Sequence, residues 1–170
     1  GEVRDGETAR TAMQAAMTGH LVFSTIHSRD TTGALFRMLD LGVEPYLVAS
    51  GVQVVMAQRL VRKLCPSCKK AVRPTTQQIE KMGGAGDVMR IFEPVGCPRC
   101  LGTGFSGRQC VFELLNMNDG LRDIIMRGAN LPDIQRVLAT ANFVSLQQSG
   151  YNLVAEGVTS FTEVDRAVGG

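Results

Sequence analysis

GEVRDGETARTAMQAAMTGHLVFSTIHS, residues Gly1 to Ser28, is the stretch from which the fold is read. It opens on Gly-Glu-x-Arg-Asp and closes with an apolar run, Leu21 to Ile26, that delivers His27. Both histidines of the chain, His20 and His27, bracket that run. A short apolar run beside a helical pattern reads as a buried parallel strand. Residues just past the carboxyl end of such a strand sit where α/β sheets bind ligands. Working outward, Asp5 can cap a helix over 6–18, with Ala9, Ala12, Met13, Ala16 and Met17 in one stripe and Gly19 at its end. Asp30 can cap a second helix that turns Ala34, Leu35, Met38 and Leu39 inward and ends at Gly42. Pro45 fits the first position of a third helix, apolar at Leu47, Val48, Val52, Val55 and Met56. Helix, strand, helix, helix predicts the later part of an α/β domain over 1–64, whose earlier strands are expected upstream. Gln58 to Leu64 leads out of it.

Residues 65–108 change character and become rich in cysteine, glycine and lysine. Of the five cysteines, Cys65, Cys68, Cys97 and Cys100 form two Cys-Pro-x-Cys pairs and Cys110 is left over. Two such pairs are bidentate thiolate knuckles, and Zn²⁺ takes four thiolates in a tetrahedron. A full thiolate set predicts structural rather than catalytic zinc, with an iron–sulfur cluster as the alternative. Cys110 sits in a strand pattern, Gly107 to Leu115, and reads as a small buried hydrophobe. Thr75 with Gln78 predicts a capping box for a short helix ending at Gly83, and Gly83-Gly84-Ala85-Gly86 a flexible loop tip. Gly102-Thr-Gly104-Phe-Ser-Gly107 matches G-x-G-x-x-G, but it follows a knuckle and precedes a strand. A dinucleotide fingerprint requires the opposite order.

From Asp119 the pattern is helical. Leu121, Ile124 and Ile125 form one stripe, and Leu131, Ile134 and Leu138 the next. Ser145 with Gln148 and Ser160 with Glu163 read as two further capping boxes. The expectation for 109–170 is a strand followed by a bundle of four short helices.

At 170 residues and 44% hydrophobic composition the chain can build one ordinary domain or two small ones. Aromatic residues are 5% and Trp is absent, so the core must be aliphatic and Met-rich. No apolar run has the length of a membrane span and no signal peptide opens the chain. Paired cysteines without a secretory signal favour metal over disulfides and a reducing, cytoplasmic setting. Gly1 in place of an initiator Met reads as a fragment or a processed product. Net charge is +2, yet ten basic residues from Arg59 to Arg108 face only Glu80, Asp87 and Glu93. Two readings follow: a zinc module binding nucleic acid through its basic middle, or cations that offset a thiolate-rich metal site. The scarcity of aromatics there, Phe92 and Phe105 only, weighs against stacking on single strands.

Glu2 stands where a carboxylate ending a buried strand can orient water for attack on a phosphoryl group. His20 and His27 lie at opposite ends of a six-residue run spanning about 20 Å if extended, so they do not share a metal. By position alone His27 is a candidate hydrogen-bond donor to phosphate and His20 structural. GEVRD, TGH and STIHS, with Glu7 and Thr8 completing GE-x-RD-x-ET, resemble the acidic motif and histidine box of the type II secretion and type IV pilus assembly ATPases. MAQRLVRKLCPSC, GCPRCLGTGFSGR, VFELL and SLQQSGYNLVAEGVTSFTEV resemble successive stretches of the same family, so the likeness covers the whole chain. Gln109-Cys110 and Ser149-Gly150 depart from the family's usual Thr-Gly and Asp-Gly.

The resemblance implies a RecA-like P-loop NTPase fold of which this chain is the C-terminal part. It implies that Glu2 closes the Walker B strand, that His20 and His27 face the phosphates, and that Arg4, Asp5 and Thr25 lie near the nucleotide and its Mg²⁺. It further implies ATP as substrate, a homo-hexamer, and a cytoplasmic recruiting domain and inner-membrane platform protein as partners. The setting implied is cytoplasmic and peripheral to a bacterial inner membrane, without insertion and without nucleic acid. Retraction motors of the superfamily generally lack the cysteine tetrad, which favours assembly or secretion. No lysine follows a glycine anywhere, so G-x4-G-K-[ST] is absent from this chain and is expected upstream, and the chain alone is expected to be inactive.

Overall fold

Asp5 adopts an extended backbone and its carboxylate accepts the Thr8 N–H, which starts α1 (Gly6–Met17) directly after the short strand β1 (Glu2–Val3). Thr18 closes the helix and Gly19, at φ +92°, turns the chain away, as the sequence predicts. The run after it behaves differently. Only β2 (Thr25–Ile26) is strand, pairing in parallel with β1 so that Glu2 lies opposite Thr25 and Val3 opposite Ile26. Leu21 and Phe23 are 83% and 84% exposed, so the expected buried strand over Leu21–Ile26 is corrected to this two-residue bridge. A parallel strand is buried by ladders on its sides and helices on its faces. Among the described residues this run has one partner, two residues long.

Asp30 caps α2 (Thr31–Asp40) by accepting the Gly33 N–H, and Ala34, Leu35 and Met38 face inward. Pro45 opens α3 (Pro45–Gly51), which buries Leu47, Val48 and Ala49. The predicted third helix continued to Met56. Instead it stops at Gly51, and β3 runs over Val54–Leu64 with Met56 exposed. β-Branched Val52, Val54 and Val55 after a glycine favour strand over helix, and the following residues alternate in burial up to Val61.

Beyond β3 the chain forms β4 (Lys70–Val72), α4 (Thr76–Lys81) and β5 (Ile91–Glu93). The Thr75–Gln78 capping box is complete in both directions. β4 and β5 pair antiparallel, with Ala71 opposite Phe92; neither was legible in the sequence. The structure, a computed structural model, describes residues 1–84, 90–128 and 130–169, so Ala85 and Gly86 of the predicted loop tip lie outside the described residues. β6 (Phe105–Asn116) contains the strand expected over 107–115 and pairs with β3. Hydrogen bonds from Met117 N–H to Gln53 C=O and from Cys65 N–H to Gly104 C=O set the two strands antiparallel.

Four helices follow: α5 (Asp119–Met126), α6 (Leu131–Thr140), α7 (Leu146–Ala155) and α8 (Phe161–Val168). They do not form the single bundle predicted. The chain divides into two compact units, residues 1–57 with 113–143 and residues 58–112 with 144–170. In the first, Leu121, Ile125, Ile134 and Leu138 join Leu35, Val48 and Leu115 in one core, and Arg122 donates to the Ala49 carbonyl at the end of α3. In the second, Tyr151, Val154, Phe161 and Val164 pack with Met82 and Ile91. The Tyr151 and Phe161 rings stack at 4.9 Å and the Tyr151 hydroxyl donates to Asp165. Burial of each such large apolar side chain is worth about 1.5–3 kcal/mol.

Ser145 and Ser160 do accept the Gln148 and Glu163 N–H groups, but the returning halves of those boxes are absent from the described contacts. The Glu163 carboxylate goes instead to Arg62 and Arg166. No helix among the described residues is long and apolar enough to cross a membrane.

Candidate functional site

Pairing of β1 with β2 brings Glu2 and His27 together. The two strands are parallel, so their carboxyl ends point the same way and His27 emerges immediately after β2. Its Nε2 lies 2.7 Å from Glu2 Oε1, and Arg4 Nε donates to Glu2 Oε2 at 2.7 Å. The Glu2 side chain is 20% exposed whereas the His27 ring is 92% exposed. The hydrogen bond from Arg4, opposed by desolvation and aided by the Arg4 and His27 charges, holds the Glu2 carboxyl below its ordinary value. Glu2 is therefore an ionised hydrogen-bond acceptor at neutral pH, with an open imidazole beside it.

The other residues singled out in this segment have local partners. Asp5 gives one carboxylate oxygen to the Thr8 N–H at 2.8 Å and the other to the Thr8 hydroxyl at 3.2 Å. That pair of bonds holds its carboxyl below the ordinary range. Thr25 is the pairing partner of Glu2 across the bridge. His20 is exposed and its Nδ1 lies 3.1 Å from the Thr18 hydroxyl, at the end of α1.

Sequence reasoning passed over Glu113. It is only 4% exposed, and its Oε1 accepts both the Thr31 N–H at 2.8 Å and the Thr31 hydroxyl at 2.5 Å. A signal was present, because alternation along β6 puts residue 113 on the same inward face as Val111 and Leu115. A carboxylate at a core position is a departure that demands a partner.

The four paired cysteines converge. Their sulfurs all lie within 4.8 Å of one another, with Cys65–Cys97 and Cys68–Cys100 at 3.9 Å and Cys97–Cys100 at 3.8 Å. Four thiolates about 2.3 Å from a tetrahedral Zn²⁺ stand about 3.8 Å apart, so the donor set and spacing fit the metal. Backbone N–H groups already point at the sulfurs: Gly96 to Cys68 at 3.3 Å, and Cys97 and Gly104 to Cys100 at 3.2 Å each. Such outer bonds orient and stabilise thiolate ligands. Burial opposes ionisation at both sites. At Cys100 the two N–H donors, with the Cys97 and Cys68 sulfurs, outweigh it and draw that thiol down, while at Cys68 burial and the three neighbouring sulfurs prevail over one N–H donor and push the thiol up.

Gly104 of the false dinucleotide fingerprint serves this cage. A Cβ on Gly104 would stand 2.5 Å from Pro94, which would drive its N–H away from Cys100. β4 and β5 explain the convergence, since their pairing draws the chain after Cys68 alongside the chain before Cys97. Cys110 is half-buried outside the cage and accepts a contact from Gln58 at 3.4 Å, rather than being the fully buried hydrophobe expected.

Residues 1–166 match the family described as type II/IV secretion system protein. The chain is 43% identical over 166 residues to type II secretion system protein E of Pectobacterium carotovorum, covering 98% of this chain and 33% of that protein. It is 36% identical over 172 residues to the type IV pilus assembly ATPase PilB of Myxococcus xanthus, covering 96% and 30%. It thus spans about a third of the length of the curated relatives it matches. Among solved structures, the Legionella pneumophila ATPase DotB matches with a TM-score of 0.62 at 19% identity, covering 98% of this chain and 36% of that one. The pilus retraction motor PilT with bound ADP matches at 0.64 and 22%, covering 98% and 37%. At those identities the two structures speak for the fold alone.

Proposed function

Since this chain belongs to the type II/IV secretion system protein family, we propose that it is the C-terminal part of a hexameric motor ATPase. That motor couples ATP hydrolysis to pilin or pseudopilin assembly, or to type II secretion. It works on the cytoplasmic side of a bacterial inner membrane, against a platform protein and a recruiting domain. The observation that carries the reading is the Glu2–His27 pair at the carboxyl ends of two parallel strands, Nε2 to Oε1 at 2.7 Å.

Phosphoryl transfer to water needs positioning and charge stabilisation more than covalent help. Glu2 is a weakened base, held ionised by Arg4, and that suits it to align a water by accepting its hydrogen bond. His27, exposed beside it, can donate to a phosphate oxygen as charge develops there. His20, Arg4, Asp5 and Thr25 keep their proposed places near the nucleotide and its Mg²⁺, Asp5 through the cap that sets the start of α1. Cys65, Cys68, Cys97 and Cys100 would hold a structural Zn²⁺, whose chemistry there is to tie the two knuckles together. We retain 1–64 as the ATPase portion and 65–108 as the zinc module.

The test is kinetic and uses the full-length motor. Glu2→Gln abolishes hydrolysis and spares nucleotide binding, and His27→Ala lowers kcat with little change in KM, as when an interaction made in the transition state is lost. Unchanged turnover in both variants refutes the assignment. The 170-residue chain on its own carries no G-x4-G-K-[ST] loop and is expected to show no Mg²⁺-dependent ATPase activity.

A further inference from the structure

His27 leaves β2 and reaches α2 through three residues, Ser28 to Asp30. The pairing of β1 with β2 sets the chain on one side of His27, and the start of α2 sets it on the other, so the imidazole is held from both ends. That start is fixed twice. Asp30 accepts the Gly33 N–H at 2.7 Å, and the Ser28 hydroxyl donates to the Asp30 carbonyl at 2.8 Å. Those two bonds shape the turn locally. A long-range attachment comes from Glu113 of β6, whose Oε1 takes both the N–H and the hydroxyl of Thr31, the first residue of the helix.

Thr31 is fully buried and Glu113 is 4% exposed, so this is an anchor inside the core. Its chemistry is costly for mere packing. A buried carboxylate must recover its desolvation cost, and an aliphatic side chain on the face of Leu115 would avoid it. What an aliphatic residue cannot do is accept two hydrogen bonds at a helix start, where free N–H groups and the positive end of the helix favour a carboxylate. We propose that Glu113, acting through Thr31, is a positioning residue that fixes the start of α2 and thereby holds His27 against Glu2. This rests on the reading of His27 as a hydrolytic residue only for its consequence in turnover; the placement of the ring is independent of it.

The experiment therefore has two arms. In the first, the His27 ring carbon and nitrogen resonances of this 170-residue chain are recorded at pH 7 for the parent and for Glu113→Ala, Glu113→Gln and Thr31→Val, with Glu2→Gln as the reference for a lost ring–carboxylate contact. The expected result is that Glu113→Ala moves the His27 resonances toward the Glu2→Gln values. Glu113→Gln keeps an acceptor oxygen and stays near the parent. Thr31→Val removes one of the two donors at nearly constant shape and moves part of the way, which keeps the test decisive if Glu113→Ala does not fold. In the second arm the same variants are placed in the full-length motor. A small misplacement of a reacting group costs roughly 10- to 100-fold in rate, so Glu113→Ala is expected to lower kcat by that factor with KM within about twofold, and Glu113→Gln to restore it. His27 resonances unchanged in both Glu113→Ala and Thr31→Val overturn the positioning role whatever the turnover. Resonances that move while turnover stays at the parent value uphold the positioning role and overturn the hydrolytic reading of His27.

Discussion

Replacing Glu163 with Gln perturbs the most heavily bonded carboxylate in the second unit. Its side chain is fully buried, with Oε1 accepting from the Arg62 backbone N–H at 3.0 Å and Arg166 Nη2 at 2.6 Å, and Oε2 from Arg62 Nη2 at 2.6 Å and Arg166 Nε at 2.8 Å. Burial pushes the carboxyl up, but the hydrogen bonds from Arg166 and Arg62 overcome it and hold it at about 2 against an ordinary 4.5. A displacement of that size corresponds to about 3 kcal/mol of folding stability at neutral pH. Both guanidinium groups are about half exposed, 46% and 59%, so solvent screening reduces the figure to about 2 kcal/mol. The sign follows from linkage: between about 2 and 4.5 the unfolded chain binds the proton and the folded chain does not. The stabilisation is complete above about pH 4.5 and is lost as pH falls toward about 2. Gln preserves the shape, yet it removes the charge and turns an N–H₂ toward guanidinium donors. Urea unfolding of the metal-loaded parent and variant, followed by circular dichroism, is expected to show the variant about 2 kcal/mol less stable at pH 7, the gap narrowing below pH 4.5. The tetracysteine site is common to both chains, so its own acid sensitivity cancels to first order in the difference. A gap under about 0.5 kcal/mol at pH 7, or one that widens in acid, refutes the reasoning.

Elemental analysis is expected to find one Zn²⁺ per chain, and Cys97→Ser to abolish its retention. Chelation should raise hydrogen exchange not only in β4 and β5 but also in α7 and α8, because Leu64 N–H bonds to Val158 C=O at 2.8 Å and Lys69 Nζ to Gly157 C=O at 2.7 Å beside the first knuckle; α5 and α6 should keep their protection. Gly157→Ala should destabilise the second unit by roughly 1–3 kcal/mol in the same urea assay, since its φ is +71° and a Cβ would stand 2.8 Å from the Phe92 ring.

How far the sequence could be read depends on how local the governing interaction is. Two Cys-Pro-x-Cys pairs carry their ligand chemistry within four residues each, and they converge as read. Asp5, Asp30 and the Thr75–Gln78 box are likewise contacts three residues long, and all three start helices where expected. β4 and β5 are three residues each and their partners lie about twenty residues apart, so no period could emerge. Val55 and Met56 fitted a helical stripe equally well until pairing with β6 decided for strand. The same amphipathic pattern served α5 to α8, but which core each stripe faces is a long-range fact, and the helices divide two and two. Leu21 to Ile26 shows the limit most sharply, because an apolar run becomes a buried strand only where neighbours supply the ladder on both sides.

Glu113 and Glu163 show why the remaining site residues escaped notice, and the reason is the same for both. Immediate neighbours assign Glu163 to a capping box with Ser160 and give Glu113 no role within VFELL. Each in fact answers to a partner far along the chain, Arg62 in one case and Thr31 in the other. A capping box and a long-range ion pair make the same demand on a glutamate, an ionised carboxylate at a helix start, so residue type cannot separate them. Burial can. An exposed helix-start glutamate loses little by bonding its own backbone, whereas one carried into the core must satisfy several lone pairs at once. Alternation along β6 puts Glu113 inward between Val111 and Leu115, and the α8 stripe puts Glu163 next to buried Val164. A carboxylate on an inward face is thus the mark by which a long-range anchor can be sought in a sequence, before its partner is known.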